Sequence, residues 1–244
     1  MGDASVEHIT GQFLYDLLNA PRIRRKFARA IRFTSQTNWE AGFEVYREFG
    51  KGTIVYRLVK GDNRRLLTAP EVPYRHGVYD LFNVHTHPLG DEPRPSAEDL
   101  AYLKFCYDGT KKYADVSVNP VGGILYPFKD PRLFSLVLYQ FKDPEEPPEK
   151  LDELRALEKR IAELQDSRQD DSLLHIFERA DDNMADHFFH RYLRLGALFY
   201  RFRGKTPVLD PIATDFLSEQ ENTTTPSVLL DAFSFSAHLL DKEI

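Results

Sequence analysis

Residues 78–109 have the sequence VYDLFNVHTHPLGDEPRPSAEDLAYLKFCYDG, in which three structural signals follow one another. Residues 78–88 are rich in β-branched and aromatic side chains and end at a proline, which predicts a strand. The next seven residues, LGDEPRP, are turn formers and predict a loop. Ser96 then fits the N-cap of a helix, with an acidic residue three positions later and Gly109 at its C-terminal end. The stretch therefore predicts a strand, a loop and a helix in succession.

His85 and His87 stand two residues apart at the end of the predicted strand. Side chains alternate between the two faces of a strand, so both imidazoles point to the same side. Asp99 lies three residues into the predicted helix, where its carboxylate can reach back toward the strand end. Two histidines and one carboxylate, with a fourth position left for water, form the ligand set of a catalytic zinc site. The sequence therefore predicts one zinc ion per chain.

Two short motifs in this region resemble the signature of the JAMM (MPN-plus) metalloproteases. His-Thr-His-Pro at residues 85–88 and Ser-Ala-Glu-Asp at residues 96–99 match its His-x-His-Pro and Ser-x-x-Asp elements. Glu-Ala-Gly-Phe at residues 40–43 is similar to the segment that carries the family's catalytic glutamate. The resemblance covers residues 8–142 and includes the order of helix, hairpin, histidine strand and ligand helix. It implies an α/β fold of MPN type, with a mixed sheet flanked by helices.

The resemblance also implies a role for each matching residue. His85, His87 and Asp99 would bind the zinc ion. Glu40 would take a proton from the attacking water and pass it to the leaving amine. Ser96 would donate a hydrogen bond to the developing oxyanion. Family members hydrolyse peptide or isopeptide bonds, often at the C-terminal tail of ubiquitin or a ubiquitin-like protein, so a protein substrate of this class is implied.

The loop between Pro88 and Ser96 departs from the family pattern. It has seven residues, one more than we expect in the family. The added residue precedes an intact Ser-x-x-Asp motif, so Asp99 keeps its position relative to the start of the ligand helix. The longer loop could alter access to the cleft.

The candidate catalytic residues also have simpler interpretations. Glu44 and Glu48 follow Glu40 at intervals of four residues, so Glu44 is an alternative base. Any of these three glutamates could instead be a solvated carboxylate of a strand. Ser96 could serve only as a helix cap, which is worth about 1 kcal/mol. The cap and the oxyanion role are compatible.

Three further residues receive no chemical role. His187 and His190 lie three apart on a predicted helix and have no third ligand at a clear spacing, so we assign them to packing or to the surface. Cys106 lies among apolar residues of the ligand helix, as a small buried hydrophobe does. A single cysteine excludes an internal disulfide framework and a CxxC site, and it favours a reducing, cytoplasmic location.

Two other functions compete with the peptidase. A strand that ends in His-x-His also opens the metal sites of barrel-type amidohydrolases and phosphoesterases. Those enzymes place the pair on the first strand, whereas here 84 residues precede His85 and no further strand-end ligands follow. A complete barrel also takes about 250 residues. The third function is a scaffold or binding module with the same fold and no catalysis, which would require a misplaced glutamate.

The flanking sequence predicts further elements of an α/β sandwich. Residues 9–31 place apolar side chains at helical spacing, with a break at Pro21. Residues 42–59 form two β-rich runs around a glycine turn, which predicts a hairpin. Residues 114–141 predict two or three strands, with Gly122 and Gly123 as a turn between two of them.

Residues 142–150, KDPEEPPEK, are rich in proline and acid and predict a linker. We therefore predict a catalytic domain at residues 8–142 and a helical C-terminal extension at residues 143–244. Within that extension, residues 175–202 predict amphipathic helices. The extension could cover the cleft, form a homodimer or recruit a partner protein.

The charge of the chain limits the class of partner. The formal net charge is -6, and the isoelectric point is near 5.8. Contact with nucleic acid or an anionic membrane requires a surplus of lysine and arginine on one face, so neither is predicted. No apolar stretch approaches the roughly 18 residues of a membrane-spanning helix. The predicted partner is a protein or a small molecule.

Overall fold

The computed structural model of the chain describes residues 7–8, 11–48, 51–55, 58–61, 77–89, 93–114, 118–146, 151–167 and 171–210. The strands in these ranges are β1 (Glu7–His8), β2 (Ala41–Glu48), β3 (Gly52–Val55), β4 (Val59–Lys60), β5 (Val78–Thr86), β6 (Val118–Asn119), β7 (Val121–Pro127), β8 (Leu133–Phe141), β9 (Leu193–Arg203) and β10 (Thr206–Asp210). The α-helices are α1 (Gly11–Asn19), α2 (Pro21–Thr37), α3 (Ala97–Gly109), α4 (Leu151–Ser167) and α5 (Asp171–Tyr192). A short π-helical segment, Thr110–Ala114, follows α3.

The main sheet is mixed and strongly curled, which confirms the α/β class. Its strand order is β10-β9-β8-β7-β5-β2-β3, and β4 also pairs with β2. β5 and β7 are parallel, whereas their outer neighbours β2 and β8 run antiparallel to them. Parallel neighbours need a crossover connection. The connection from β5 to β7 contains α3, so the crossover brings this helix beside the end of β5.

The two faces of the sheet carry separate apolar cores. Side chains of β8 alternate between the cores, as the period of two requires. The first core contains Phe134, Leu136 and Leu138 of β8 together with residues of α1 and α2. The second core contains Val137, Tyr139 and Phe141 together with residues of α3, α4 and α5. α3 therefore covers one face of the sheet, and α2 covers the other.

The N-terminal helix and the hairpin follow the sequence prediction. α1 ends at Asn19, and Pro21 is the first residue of α2, where its missing N–H is tolerated. β2 and β3 are antiparallel, and the chain enters β3 through Gly52 at a φ of 76°. A positive φ is accessible to glycine without steric cost.

The prediction of a turn at Gly122 and Gly123 is wrong, because both residues lie inside β7. Gly122 pairs with Tyr139 of β8, and a Cβ atom on Gly122 would lie 2.1 Å from the ring of Tyr139. Glycine at this position therefore makes room for a buried aromatic ring rather than for a reversal of the chain.

The helix expected through residue 202 ends at Tyr192, and the chain continues as β9. β9 pairs with β8 over nine residue pairs, from Leu133 with Arg201 to Phe141 with Leu193. The edge of β8 supplies backbone partners that no local pattern can reveal, so tertiary pairing decides the structure here. β9 thus extends the sheet formed by the strands before residue 142, while the division into two domains stays a prediction. None of the described helices is long and apolar enough to cross a membrane.

Candidate metal centre

The end of β5 displays two imidazoles on one side, as predicted. Nε2 of His85 lies 3.0 Å from Nε2 of His87. Thr86, between them, points to the opposite face, where its Oγ1 lies 2.5 Å from Oγ1 of Thr34 and accepts the N–H of Ala41 at 2.8 Å. The N–H of His87 donates to the carbonyl of Leu125 in β7 at 3.0 Å. Hydrogen bonds on both sides of the strand therefore fix the orientation of the histidine pair.

Asp99, in the first turn of α3, faces the histidine pair. Its Oδ1 lies 3.2 Å from Nε2 of His85, and its Oδ2 lies 3.8 Å from Nε2 of His87. The three potential ligand atoms all lie within 4.8 Å of one another. The structure thus brings together His85, His87 and Asp99 as a group that could hold a metal ion, and it is the only such group of His, Cys, Asp and Glu among the residues described.

Ser96 is the N-cap of α3 and forms a capping box with Asp99. The N–H and the hydroxyl of Ser96 both donate to Oδ2 of Asp99 at 2.8 Å. The N–H of Asp99 donates back to Oγ of Ser96 at 3.2 Å. The box fixes the Asp99 carboxylate at the start of the helix. The predicted cap is therefore present, while the oxyanion role of Ser96 stays a prediction.

The protonation states of the group suit a metal ion. Burial lowers the pKa of His85 to about 4, against the opposing effect of Asp99, so the ring is neutral at pH 7. Burial alone would raise the pKa of Asp99, but His85, His87 and the N–H of Ser96 hold it well below its usual range. Metal ligands must be deprotonated. Two imidazole nitrogens and a carboxylate oxygen are a donor set that zinc accepts.

Glu40 lies next to the strand end that carries the histidines. It immediately precedes β2, and its carbonyl accepts the N–H of Gly61 at 2.8 Å. Gly42, two residues after Glu40, pairs with His85 of β5. Its side chain is half-buried. This placement is compatible with a base near the metal group, and the catalytic role of Glu40 stays a prediction.

Glu44 has a different environment from that of Glu40. It is buried in the middle of β2 and accepts a hydrogen bond from the hydroxyl of Tyr102, one turn beyond Asp99 on α3. Burial and then the nearby Asp80 raise the pKa of Glu44 to about 8, although the Tyr102 hydrogen bond opposes them. Glu44 is therefore protonated at neutral pH, which disfavours it as the alternative base. Its link to Tyr102 joins residues 58 positions apart and leaves no local sequence signal.

The pH dependence of stability tests this buried carboxyl group. The folded pKa of about 8 exceeds the ordinary value of 4.5, so between them the folded protein holds a proton that the unfolded chain has lost. The free energy of unfolding therefore falls as pH rises from about 5 to about 8. The glutamine side chain of Glu44→Gln cannot ionise, so the free energy of unfolding of this variant should not show this decrease. We expect the free energy of unfolding of the variant to exceed that of the wild type by about 2 to 4 kcal/mol at pH 8 and to equal it near pH 5.

Denaturant-induced unfolding of metal-free protein at the two pH values measures the difference. The matched control is Glu163→Gln, because Glu163 is a half-exposed residue of α4. Its stability should depend on pH as that of the wild type does. If the stability of Glu44→Gln falls with rising pH as steeply as that of the wild type does, the pKa of Glu44 is not raised in the folded protein.

His187, His190 and Cys106 are not part of this group. His187 and His190 are exposed on α5, beside the buried Phe188 and Phe189. This agrees with a surface position. Cys106 is buried and free, as expected for a small hydrophobe of α3.

Comparison of the chain with protein-family models, with curated proteins and with solved structures gives no significant match.

Proposed function

We propose that this chain is a zinc-dependent peptidase of the JAMM type. The observation that carries the proposal is the convergence of His85, His87 and Asp99 within 4.8 Å, on a strand and a helix whose sequence follows the His-x-His-Pro and Ser-x-x-Asp pattern. Three protein ligands suit a catalytic zinc ion, which keeps a position open. The mixed sheet with helices on both faces is compatible with an MPN-type fold.

The proposed roles of the side chains are those that the motif resemblance implies. A zinc ion held by the three ligands would lower the pKa of a coordinated water and polarise a substrate carbonyl. The carboxylate of Glu40 would accept the proton of the attacking water and return it to the leaving amine. The hydroxyl of Ser96 would donate to the oxygen on which negative charge develops. Asp99 also accepts from this hydroxyl, so Ser96 would have to turn between the two acceptors.

The proposed substrate is a peptide or isopeptide bond at the C-terminal tail of a ubiquitin-like protein. This substrate class rests on the motif resemblance, and the proposed location is the cytoplasm. The acidic chain, with a net charge of -6, supports a protein partner rather than nucleic acid.

Hydrolysis should depend on the metal. We expect the full-length protein to cleave a ubiquitin-like substrate with a C-terminal extension, to lose cleavage after treatment with a chelator, and to regain it with one equivalent of zinc. Magnesium should not restore cleavage, because it prefers oxygen ligands in an octahedral arrangement. Gel-based detection of the released extension measures the result. Cleavage that persists in protein shown by elemental analysis to be free of metal would contradict the proposal.

A further inference from the structure

The first turn of α3 is held by helices from the C-terminal part of the chain. Leu154 of α4 is fully buried in the same core as Ala97 and Leu100 of α3. Ala97 and Leu100 flank Asp99 in sequence. Asp99 therefore lies in a turn whose apolar side chains share a core with α4.

Glu158, on α4, makes the polar contact at this point. Both of its carboxylate oxygens lie 3.0 Å from the N–H of Ala97, the first residue of α3. The first N–H groups of a helix have no partner within the helix, so Glu158 satisfies one that would otherwise lack an acceptor. A negative charge at a helix N-terminus is also favourable. Glu158 thus bonds to the backbone two residues before Asp99.

Two ion pairs flank this contact. Arg155 of α4 lies 2.8 Å from Glu98. Arg94, in the loop before α3, pairs with Asp181 of α5. The Arg155 pair is well exposed and contributes little stability by itself. The two pairs nevertheless show that α5 contacts the chain three residues before Ala97 and that α4 contacts it one residue after.

The ligands of the metal group come from separate elements. His85 and His87 are fixed by the sheet, whereas Asp99 is fixed to Ser96 by the capping box and moves with the first turn of α3. We propose that Glu158 is a positioning residue of the metal centre, whose carboxylate holds the first turn of α3 so that Asp99 faces the two histidines. This inference rests on the proposed zinc site. It gives α4 a part in metal binding that the motif at residues 85–99 does not contain.

The test compares two variants with full-length wild type at about pH 8, above the pKa of about 7 to which burial raises Glu158. Glu158→Met keeps the unbranched stem but removes the strong acceptor, and Glu158→Gln keeps an acceptor for the N–H of Ala97. Metal-free proteins are titrated with zinc against a chromophoric chelator and with cobalt(II) while the visible spectrum is recorded. Glu163→Met, on the exposed side of α4, is the matched control.

We expect Glu158→Met to lower the zinc affinity about 10- to 100-fold, as the loss of a residue that orients a ligand does, and to change the cobalt spectrum. The zinc affinity of Glu158→Gln should fall by at most about fivefold, since this change removes only the charge at the helix N-terminus. Glu163→Met should match the wild type. A purely structural role for Glu158 would lower the thermal midpoint of the metal-free protein without changing the cobalt spectrum.

Wild-type zinc affinity and spectrum in Glu158→Met would overturn the inference and leave the zinc site intact. Failure of the wild type itself to bind zinc or cobalt would overturn the proposed function, and the inference with it. If Glu158→Met does not fold, Glu158→Ala takes its place with the same expected loss. If neither folds, the Gln variant decides: loss of affinity beyond about fivefold with the hydrogen-bond acceptor retained contradicts the inference.

Discussion

Glu40→Gln is expected to lower hydrolysis by about 10²- to 10⁴-fold while zinc stays bound, because the amide keeps the size of the carboxylate but cannot accept a proton. The candidate metal ligands His85, His87 and Asp99 are unchanged in this variant. The loss should therefore appear in kcat, with little change in substrate affinity. Steady-state kinetics on the ubiquitin-like substrate, with metal analysis of the same samples, measures both quantities.

Two further variants on β2 make this experiment specific. Glu48→Gln is the matched control, because Glu48 lies at the far end of β2, where it pairs with Val78 of β5 and contacts Lys51. It should keep wild-type activity. If Glu44→Gln loses activity and Glu40→Gln does not, Glu44 is the base in spite of its burial. If all three variants cleave normally with zinc bound, the JAMM mechanism is wrong for this chain.

The strand and the ligand helix within residues 78–109 could be predicted because their signals are local; part of the predicted loop between them, residues 90–92, lies outside the described residues. Proline, turn residues and a capping box define the ends of these elements within a few positions. The alternation of a strand then puts His85 and His87 on one side, and the cap puts Asp99 in the first turn of α3. The convergence of the three side chains follows from these short-range rules and needs only the crossover that carries α3 beside the end of β5.

The side-chain contacts made by α3 with β2 and α4 could not be predicted, because they join distant parts of the chain. Glu44 meets Tyr102 across 58 positions, and Glu158 meets Ala97 across 61. Pairing between distant parts of the chain also explains why the strand at residues 193–203 could not be predicted. Its apolar and aromatic residues fit a helix or a strand, and backbone pairing with β8 decides between them.

Asp99→Ala should abolish metal binding while leaving the fold in place. We expect zinc affinity to fall by more than about 100-fold, since removal of a ligand exceeds the 10- to 100-fold cost of removing an outer partner. The sheet and its two cores supply most of the stability. The loss of the capping box should cost only about 1 kcal/mol of unfolding free energy. Zinc titration and circular dichroism report these two effects separately.

Ser96→Ala is the control for the lost cap. It removes the hydroxyl that bonds to Asp99 but keeps the carboxylate and the N–H of Ser96 that also donates to it, so it should share the small loss of stability. Its loss of zinc affinity should stay within about 10- to 100-fold, below that of Asp99→Ala. If Asp99→Ala binds zinc as tightly as the wild type does, then Glu98 or a residue of the loop before Ser96 is the third ligand.

The zinc content of the wild-type protein tests the central claim most directly. Elemental analysis should be made on full-length protein expressed in zinc-replete medium and purified without chelators. The group formed by His85, His87 and Asp99 predicts about one zinc ion per chain. A content well below about half an equivalent would contradict the metal site and, with it, the proposed peptidase.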